Sequence, residues 1–406
     1  MRKAAIVACS CCLATGFLWA QSNDTQEGRL AALEERVRAL EAEIQALKAG
    51  QVPVPAAPAP PLTAPMATPV MAGGQALPVY GGASAAAKVL NPDISVIGNF
   101  IGGVGRNTVR PVPGLEMRES EVGLQAIIDP YARGDFFLSF GEKGVNVEEG
   151  FLTFTSLPGG LVAKVGKMRA NFGKVNLLHS HNLPWIDRPL VTENLVGGED
   201  GLNDAGFSLS RILPAPKGVF LEANGQVFRG DSEGIFEAHR RTDASVVGHL
   251  RGYGDLSEST NLDLGFSFAR GHNEDRLLTR LYGIDATLRW KPLRRSIYHS
   301  FLLRSEFFWS HRDQLPAVQR AFGFYIAPEY RINRRWTLGG RYDRSDRADD
   351  ASLADRGFSA LLTYWPSEFS QIRGQYRFGR YAERPDSNEL RFQFLFVLGA
   401  HGAHPF

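Results

Sequence analysis

Over most of the chain, apolar and polar residues alternate in short segments. The clearest segment is residues 261–269, where Leu262, Leu264, Phe266 and Phe268 alternate with polar or small residues. A period of two places successive side chains on opposite faces of a β-strand. Sixteen segments of this kind are centred near residues 98, 123, 136, 152, 165, 208, 224, 248, 265, 285, 303, 324, 340, 361, 375 and 393. The pattern predicts a sheet with one apolar and one polar face.

The connections between these segments alternate in length. Every second one is short and built from turn residues, as at 254–255, 291–292 and 366–367. The intervening connections are mostly longer and polar, which is typical of a transmembrane β-barrel with an even number of strands. The alternative, a secreted soluble sandwich, would have to bury strand faces that carry Arg, Asp and Gln. The sequence therefore predicts an all-β transmembrane barrel of about 16 antiparallel strands over residues 91–406.

A different period marks residues 21–49. Their apolar residues recur at steps of three and four, which is the a/d heptad pattern of an α-helical coiled coil. A helix of this length cannot bury such a stripe alone, so the pattern indicates self-association. An amphipathic helix lying on the protein's own surface is the alternative. The predicted oligomerisation residues, including an attractive g-to-e′ pair of Arg36 with Glu41, are Leu30, Leu33, Arg36, Val37, Leu40, Glu41, Ile44 and Leu47.

Residues 1–20 have the features of a secretory signal peptide. Arg2 and Lys3 precede an apolar stretch, and a small residue, Ala20, stands at the expected cleavage site. An uncleaved anchor helix is the alternative. Residues 50–90 are rich in Pro, Ala and Gly, which predicts an extended linker without a core of its own. The expected order is therefore signal peptide, coiled-coil stalk, linker and barrel.

Composition narrows the function. The chain has 406 residues and three cysteines, all of them within the predicted signal peptide, so no disulfide or thiolate site is expected in the exported protein. The net charge of +2 is lost with Arg2 and Lys3, and no nucleic-acid partner is predicted. The sequence contains no H-E-x-x-H, G-x-S-x-G or phosphate-loop motif. We therefore predict neither an enzyme nor a cofactor.

The third connection on the long side, residues 170–203, is by far the longest. Connections of this length in a compact unit are usually functional or disordered. We interpret it as a constriction loop that folds into the lumen, with packing on a neighbouring subunit or on the outer rim as the alternative. The candidate constriction residues are Lys174, His179, His181, Trp185, Asp187, Arg188 and Glu193.

The polar face of the predicted barrel carries more arginines than acidic residues. The excess is greatest where Arg373 and Arg377 alternate with glutamines. Such a wall can attract carboxylate or phosphate groups. Pairing of the charges across the wall, which would make the wall rigid, is the open alternative. The candidate pore-wall residues are Arg251, Arg289, Arg304, Arg341, Arg373, Arg377, Arg391, Asp263, Asp285, Glu306 and Asp343.

Two histidine pairs are possible metal ligands. His179 with His181, and His401 with His404, each offer two imidazoles to a metal ion. Neither pair has a third ligand close to it in the sequence, so no metal site is predicted.

These features together resemble a known class of membrane protein. Residues 164–173 are similar to the K-x-G-x-x-x-x-x-F-G pattern of certain porins, with Lys164, Gly166, Phe172 and Gly173 at the matching positions. With the signal peptide, the heptads, the sixteen segments and the long third loop, the chain resembles the general porins of Gram-negative outer membranes. The likeness is greatest to phosphate-selective O/P-type porins and to dicarboxylate-type porins with an N-terminal coiled coil.

The resemblance implies an outer-membrane homotrimer with one water-filled pore per subunit, which admits small hydrophilic solutes, anions among them, by passive diffusion. With sixteen strands both ends of the barrel lie on the side of the short turns, so we expect the coiled coil in the periplasm. The resemblance also implies two further partners, the lipid of the outer membrane and the barrel-assembly machinery, which reads a C-terminal aromatic residue such as Phe406. The alternative function is a structural envelope protein with a plugged barrel and a periplasmic tether.

Overall fold

The computed structural model describes residues 92–141, 144–382 and 386–399, together with Glu35 and Arg38. Both of these isolated residues are helical and exposed, and they do not test the coiled coil at 21–49. The signal peptide at 1–20, the linker at 50–90 and Phe406 lie outside the described residues, so these assignments stay predictions.

Sixteen antiparallel strands form a closed barrel, which confirms the barrel part of the predicted fold and its strand number. Each strand pairs with its neighbours along the chain, and β1 closes the barrel on β16, from Ser95 opposite Gly399 to Arg106 opposite Asn388. Closure leaves no sheet edge, so every strand has two hydrogen-bonded neighbours. The strands are β1 Asp93–Arg106, β2 Leu115–Asp129, β3 Ala132–Gly141, β4 Gly144–Leu157, β5 Leu161–Arg169, β6 Asn203–Leu213, β7 Val219–Phe228, β8 Ser245–Ser257, β9 Thr260–His272, β10 Leu278–Trp290, β11 Ser300–Arg312, β12 Gln319–Arg331, β13 Trp336–Asp346, β14 Ala354–Ser367, β15 Ser370–Arg380 and β16 Ser387–Gly399.

Each predicted segment centre lies within the corresponding strand, but three of the predicted turns are wrong. Strands β8 and β14 run through the dipeptides 254–255 and 366–367, and the chain reverses only at 258–259 and 368–369. In both hairpins a register shift lies near the end of the ladder, between Asp255 and Ser257 in one and between Tyr364 and Ser367 in the other. The third turn, after β10, is not short, because the connection to β11 spans residues 291–299.

The apolar face of the sheet points outward. On β9, Leu264, Phe266 and Phe268 are exposed on the outside of the barrel, whereas Asp263 and Ser267 point inward and are buried. The same alternation holds along most of the other strands. An outward apolar band and an inward polar face are the arrangement that a lipid environment requires of a transmembrane barrel.

Helical structure within residues 92–399 is limited to the connections. Short 3₁₀ turns lie at Pro158–Gly160, Val175–Leu177 and Ser180–Asn182, and one α-helix, α1, spans Leu190–Leu195. Among the described residues, no helix is long and apolar enough to cross a membrane. Three of these four elements lie between β5 and β6, so the longest connection has internal structure of its own.

The outward apolar band predicts that a charged side chain facing lipid lowers stability more near the middle of the membrane than near its surface. Phe266 lies at the middle of β9 and is 53% exposed, so we expect Phe266→Arg to lower the free energy of unfolding by about 2–4 kcal/mol in phospholipid vesicles. Leu256, also exposed but near the end of β8, is the control, and Leu256→Arg should cost about 0–1 kcal/mol. Denaturant unfolding of the vesicle-bound protein measures both. Equal costs at the two positions would contradict the predicted position of the lipid.

Candidate pore constriction

The connection between β5 and β6, residues 170–202, extends into the barrel, and we call it the lumen loop. It agrees with the loop predicted at 170–203, except that Asn203 begins β6. It makes hydrogen bonds to inward side chains on opposite parts of the wall, including Glu121 on β2 and Thr287 on β10. The loop therefore spans the lumen rather than covering the outer rim.

The lumen loop leaves the wall at a turn centred on Gly173. The φ of Gly173 is +64°, and a Cβ at this position would lie 2.7 Å from a carboxylate oxygen of Glu306, so only glycine fits. The N–H of Gly173 donates to Ser267 Oγ at 3.0 Å. The N–H groups of Lys174 and Val175 both donate to Glu306. One wall carboxylate thus fixes the start of the loop.

The side chain of Lys174 connects the loop to β9 and β10. Its Nζ lies 3.3 Å from Asp263 and 3.4 Å from Asp285, and it donates to Thr287 Oγ1 at 2.8 Å. Asp263 also pairs with Arg251 at 2.7 Å. Asp263 and Asp285, two of the predicted pore-wall acids, therefore both pair with Lys174 of the loop. Asp263 pairs with Arg251 of the wall as well.

On the other side of the lumen, Asp187 lies among three arginines of the wall. Its carboxylate is 2.6 Å from Arg377, 3.1 Å from Arg341 and 3.8 Å from Arg391. Gln375 donates to the same carboxylate, and Arg341 also donates to the backbone carbonyl of Asp187 at 2.8 Å. A single loop residue thus connects β13, β15 and β16.

The charges around Asp187 keep it ionised. Burial alone raises the pKa of its carboxyl group, but the guanidinium groups of Arg341, Arg377 and Arg391 hold that pKa far below its ordinary value of 3.8. The carboxylate therefore stabilises the folded loop at any pH above the ordinary pKa. That stabilisation is lost only as the pH falls through the lower pKa that Asp187 has in the folded state.

Backbone groups next to Asp187 are held by the same wall. The N–H of Ile186 donates to Gln375 Oε1 at 2.8 Å, and Arg373 donates to the carbonyl of Leu183 at 2.8 Å. Arg373 makes no ion pair within the described part of the chain, and its guanidinium group instead donates a hydrogen bond to this backbone carbonyl of the loop.

Trp185 and α1 complete this attachment. The indole of Trp185 packs edge-on against Tyr325 at 5.1 Å between ring centroids, and the guanidinium of Arg341 lies 4.8 Å from its ring. The N–H of Leu190, the first residue of α1, donates to Asp343 at 3.2 Å. Helix α1 then packs against β11 to β14. The segment from 183 to 195 is therefore fixed to the wall.

Apolar side chains of the lumen loop form a core inside the barrel. The sequence pattern does not predict this core, because it assigns the inward face to polar residues. The available signal is the concentration of Leu, Val and Trp within the loop itself. The core fills part of the lumen and holds the loop against the wall. Its loop members are Ala170, Phe172, Val175, Leu183, Trp185, Val191, Leu195, Val196 and Leu202, and its wall members include Phe137, Phe228, Phe308 and Tyr325.

Both histidines of the lumen loop lie against glutamates of β2 and β4. His179 Nε2 is 2.7 Å from Glu149, and His179 Nδ1 contacts Glu121 and lies 3.1 Å from Glu148. His181 Nδ1 is 3.3 Å from Glu119. We call these six residues the histidine–glutamate cluster: Glu119, Glu121, Glu148, Glu149, His179 and His181.

The glutamates determine the protonation of His179. Burial lowers the pKa of its imidazole, but hydrogen bonds to Glu121 and Glu149 and the charge of Glu148 outweigh burial and raise the pKa to about 10. The sequence pattern does not single out these glutamates, because each is one polar position among many on an alternating strand.

The remaining predicted loop residues have other partners. Arg188 donates to the carbonyls of Val175 at 3.1 Å and Leu178 at 2.6 Å, both within the loop, and burial lowers its pKa to about 10. Glu193 pairs with Arg110 of the connection after β1 at 3.7 Å.

Most of the predicted pore-wall arginines are paired with acids. Besides the pairs already described, Arg304 lies 3.2 Å from Glu329 and Arg391 lies 2.7 Å from Glu389. Arg289 differs: it lies on the inward face of β10, is partly exposed and forms no ion pair within the described part of the chain. Arg289 thus combines partial exposure with the lack of an ion pair among these residues.

The contact of Asp187 with the arginines predicts that the loop depends on this carboxylate. In Asp187→Asn the three buried guanidinium groups keep only Asp343 and Glu389 as counter-charges, and one uncompensated buried charge typically costs about 3–5 kcal/mol. Hydrogen–deuterium exchange should therefore accelerate in peptides that cover residues 183–190. Glu258→Gln, an exposed turn position, is the control and should leave these peptides unchanged. Unchanged exchange in Asp187→Asn would contradict the anchoring role.

Comparison with known proteins gives one relative by sequence. No protein-family model matches the chain. An uncharacterised protein of Aquifex aeolicus (strain VF5) is 29% identical, in an alignment that covers 72% of this chain and 70% of that protein.

Solved structures of outer-membrane proteins are similar in fold. An anion-selective porin from Comamonas acidovorans is 10% identical with a TM-score of 0.52, covering 76% of this chain and 98% of its own. The trimer form of OmpT, an outer membrane protein of Vibrio cholerae, is likewise 10% identical with a TM-score of 0.52, covering 76% of this chain and 100% of its own. At this identity the likeness is one of fold, and the chain has the barrel fold of outer-membrane porins.

Proposed function

We propose that this protein is an outer-membrane porin in which the lumen loop forms the constriction and small hydrophilic solutes pass by diffusion. The supporting observation is that the loop crosses the lumen and is fixed to the facing wall by Asp187. A loop held in this way sets a constant pore width, because packing and ion pairs oppose its movement.

Solvent-accessible charges on both sides of the loop support a polar path. On the side of the short turns, the side chains of Arg251, Lys174 and Arg304 are 41%, 28% and 28% exposed although they point inward. On the side of the long connections, a cleft of about 260 Å³ is lined by Arg110 and Arg347 among others. Water thus reaches the loop from each side, and we take the loop with its apolar core as the constriction.

The apolar core also favours a second candidate function, a structural envelope protein with a plugged barrel. A lumen packed with Phe, Leu and Trp would resist the passage of water. In that case the proposed coiled coil at 21–49 and the linker at 50–90 would serve as a tether. Conductance distinguishes the two functions directly.

The proposal includes the cellular setting expected from the sequence. Residues 1–20 direct export, Phe406 is read by the barrel-assembly machinery, and the outward apolar band contacts outer-membrane lipid. The heptads at 21–49 assemble three copies with their coiled coil in the periplasm. A trimer form is described for OmpT of Vibrio cholerae, which has the same fold.

Planar-bilayer recording tests the proposal. We expect folded wild-type protein to give small, steady single-channel currents, because the packed loop narrows the lumen. Asp187→Asn should raise the single-channel conductance severalfold, because the loop is released from the arginines, whereas Glu258→Gln should match the wild type. Absence of conductance from protein that is folded and inserted would reject the porin function and support the plugged barrel.

We further propose a modest anion preference that depends on Arg289. Because most other wall arginines are paired, we expect Arg289→Gln to shift the reversal potential in a salt gradient toward that of a non-selective pore. Glu222→Gln, which removes an inward and partly exposed acid on β7, should shift it in the opposite direction. Cation preference in the wild-type protein would reject this part of the proposal.

A further inference from the structure

The histidine–glutamate cluster concentrates metal-binding groups in a place that the porin function does not use. Its six side chains are at most 12% exposed. Four carboxylates surround two imidazoles, and Arg169, which lies 3.3 Å from Glu148, supplies one further positive charge. A divalent ion bound here would add positive charge beside four buried carboxylates, where uncompensated charge is strongly unfavourable.

The ligand atoms are already close to the spacing that one ion requires. An oxygen of Glu121 and a ring nitrogen from each of His179 and His181 lie within 4.8 Å of one another. His181 Nδ1 is 3.8 Å from Glu121 and 3.3 Å from Glu119. Tetrahedral ligands at the usual Zn–N and Zn–O distances are about 3.4 Å apart, so small side-chain movements would suffice.

A second feature points to a metal independently of this spacing. The other ring nitrogen of His179, Nε2, is 2.7 Å from Glu149, and Glu149 also accepts a hydrogen bond from the backbone N–H of Arg169 at 2.8 Å. Metal-ligating histidines commonly place their second nitrogen against a carboxylate that is itself held in position. This contact fixes the ring orientation and leaves Nδ1 directed toward Glu121.

We propose that the histidine–glutamate cluster binds one divalent transition-metal ion of the zinc class. His179, His181 and Glu121 are the ligands, Glu119 completes the coordination, and Glu149 orients His179. Mixed imidazole and carboxylate ligands favour Zn²⁺ over Ca²⁺ or Mg²⁺, which prefer oxygen alone. The ion connects β2 to the lumen loop, on the part of the wall that the Asp187 contact does not reach. The proposal does not depend on whether the barrel conducts.

Zn²⁺ titration of the folded full-length protein in detergent, after treatment with a chelator, tests the site. Isothermal calorimetry and metal analysis after dialysis should give one tightly bound ion per chain. All variants are made in a His401→Gln, His404→Gln background, which removes the other predicted histidine pair and should retain binding. Loss of the bound ion in that background would assign it to the C-terminal pair and overturn the proposal.

Single substitutions then locate the ligands. Glu149→Gln should weaken Zn²⁺ binding by about 10–100-fold, as expected for a residue that orients a ligand. His179→Gln and His181→Gln should each weaken Zn²⁺ binding more than Glu149→Gln does. His239→Gln is the matched control, since His239 lies 3.8 Å from Glu237 in the connection after β7, and it should bind as the background does. If the His179 and His181 variants bound Zn²⁺ as tightly as the background protein, or if no variant or wild-type protein bound it saturably, the proposal would be overturned. Protonated imidazoles alone would then hold the cluster together.

Cobalt substitution gives a test that does not require the variants to fold. Co²⁺ bound to the chelator-treated wild-type protein should show the strong visible absorption of four-coordinate geometry, and Zn²⁺ should abolish it by displacement. A weak spectrum typical of octahedral Co²⁺ on surface groups would contradict the site. Heat-modifiable mobility on gels verifies that each variant retains its barrel.

Discussion

The interior of this barrel depends on the contact between Asp187 and the arginines of the facing wall. Arg341, Arg377 and Arg391 project inward from neighbouring strands, where their like charges repel and burial removes their hydration. The wall itself supplies Asp343 and Glu389, and Asp187 supplies the third counter-charge from the loop, so the same contact stabilises the wall and fixes the loop. Without Asp187 one buried positive charge of the wall would be uncompensated.

The loop is held at three places that surround the lumen. Glu306 fixes its start, Asp187 fixes its middle, and the histidines attach it to β2 and β4. The apolar core lies between these attachments and excludes water from them, which strengthens each polar contact. A loop bound in this way is better suited to a constant constriction than to a moving gate. The same packing explains why a plugged barrel is the principal competing function.

The sequence predicts the barrel well because strand alternation is a local signal. On β9 the exposure of Phe266 and the burial of Ser267 follow directly from their positions in the alternation. Turn positions are less predictable from the sequence. Gly254 and Asp255 are residue types common in turns, but Gly254 pairs with Leu262 and continues the β-ladder. Tertiary pairing here prevails over local propensity.

The candidate site is only partly predictable, because its partners come from distant strands. Loop length alone identifies residues 170–203 as functional, and Asp187 is a candidate from its charge. The sequence does not indicate that Asp187 meets three arginines, or that His179 meets glutamates of β2 and β4. Those contacts depend on barrel closure and on how deeply the loop enters, and neither is encoded as a local period. Within the loop, the apolar residues near Trp185 were the one available sign of a packed interior.

A crystallographic or cryo-electron-microscopy map of the purified full-length protein, resolved well enough to show side chains, tests the central claim most directly. The account predicts that the lumen loop crosses the barrel and that density for the Asp187 carboxylate is continuous with the guanidinium groups of Arg341 and Arg377. A loop that lies outside the barrel, on the outer rim or against a neighbouring subunit, would contradict it.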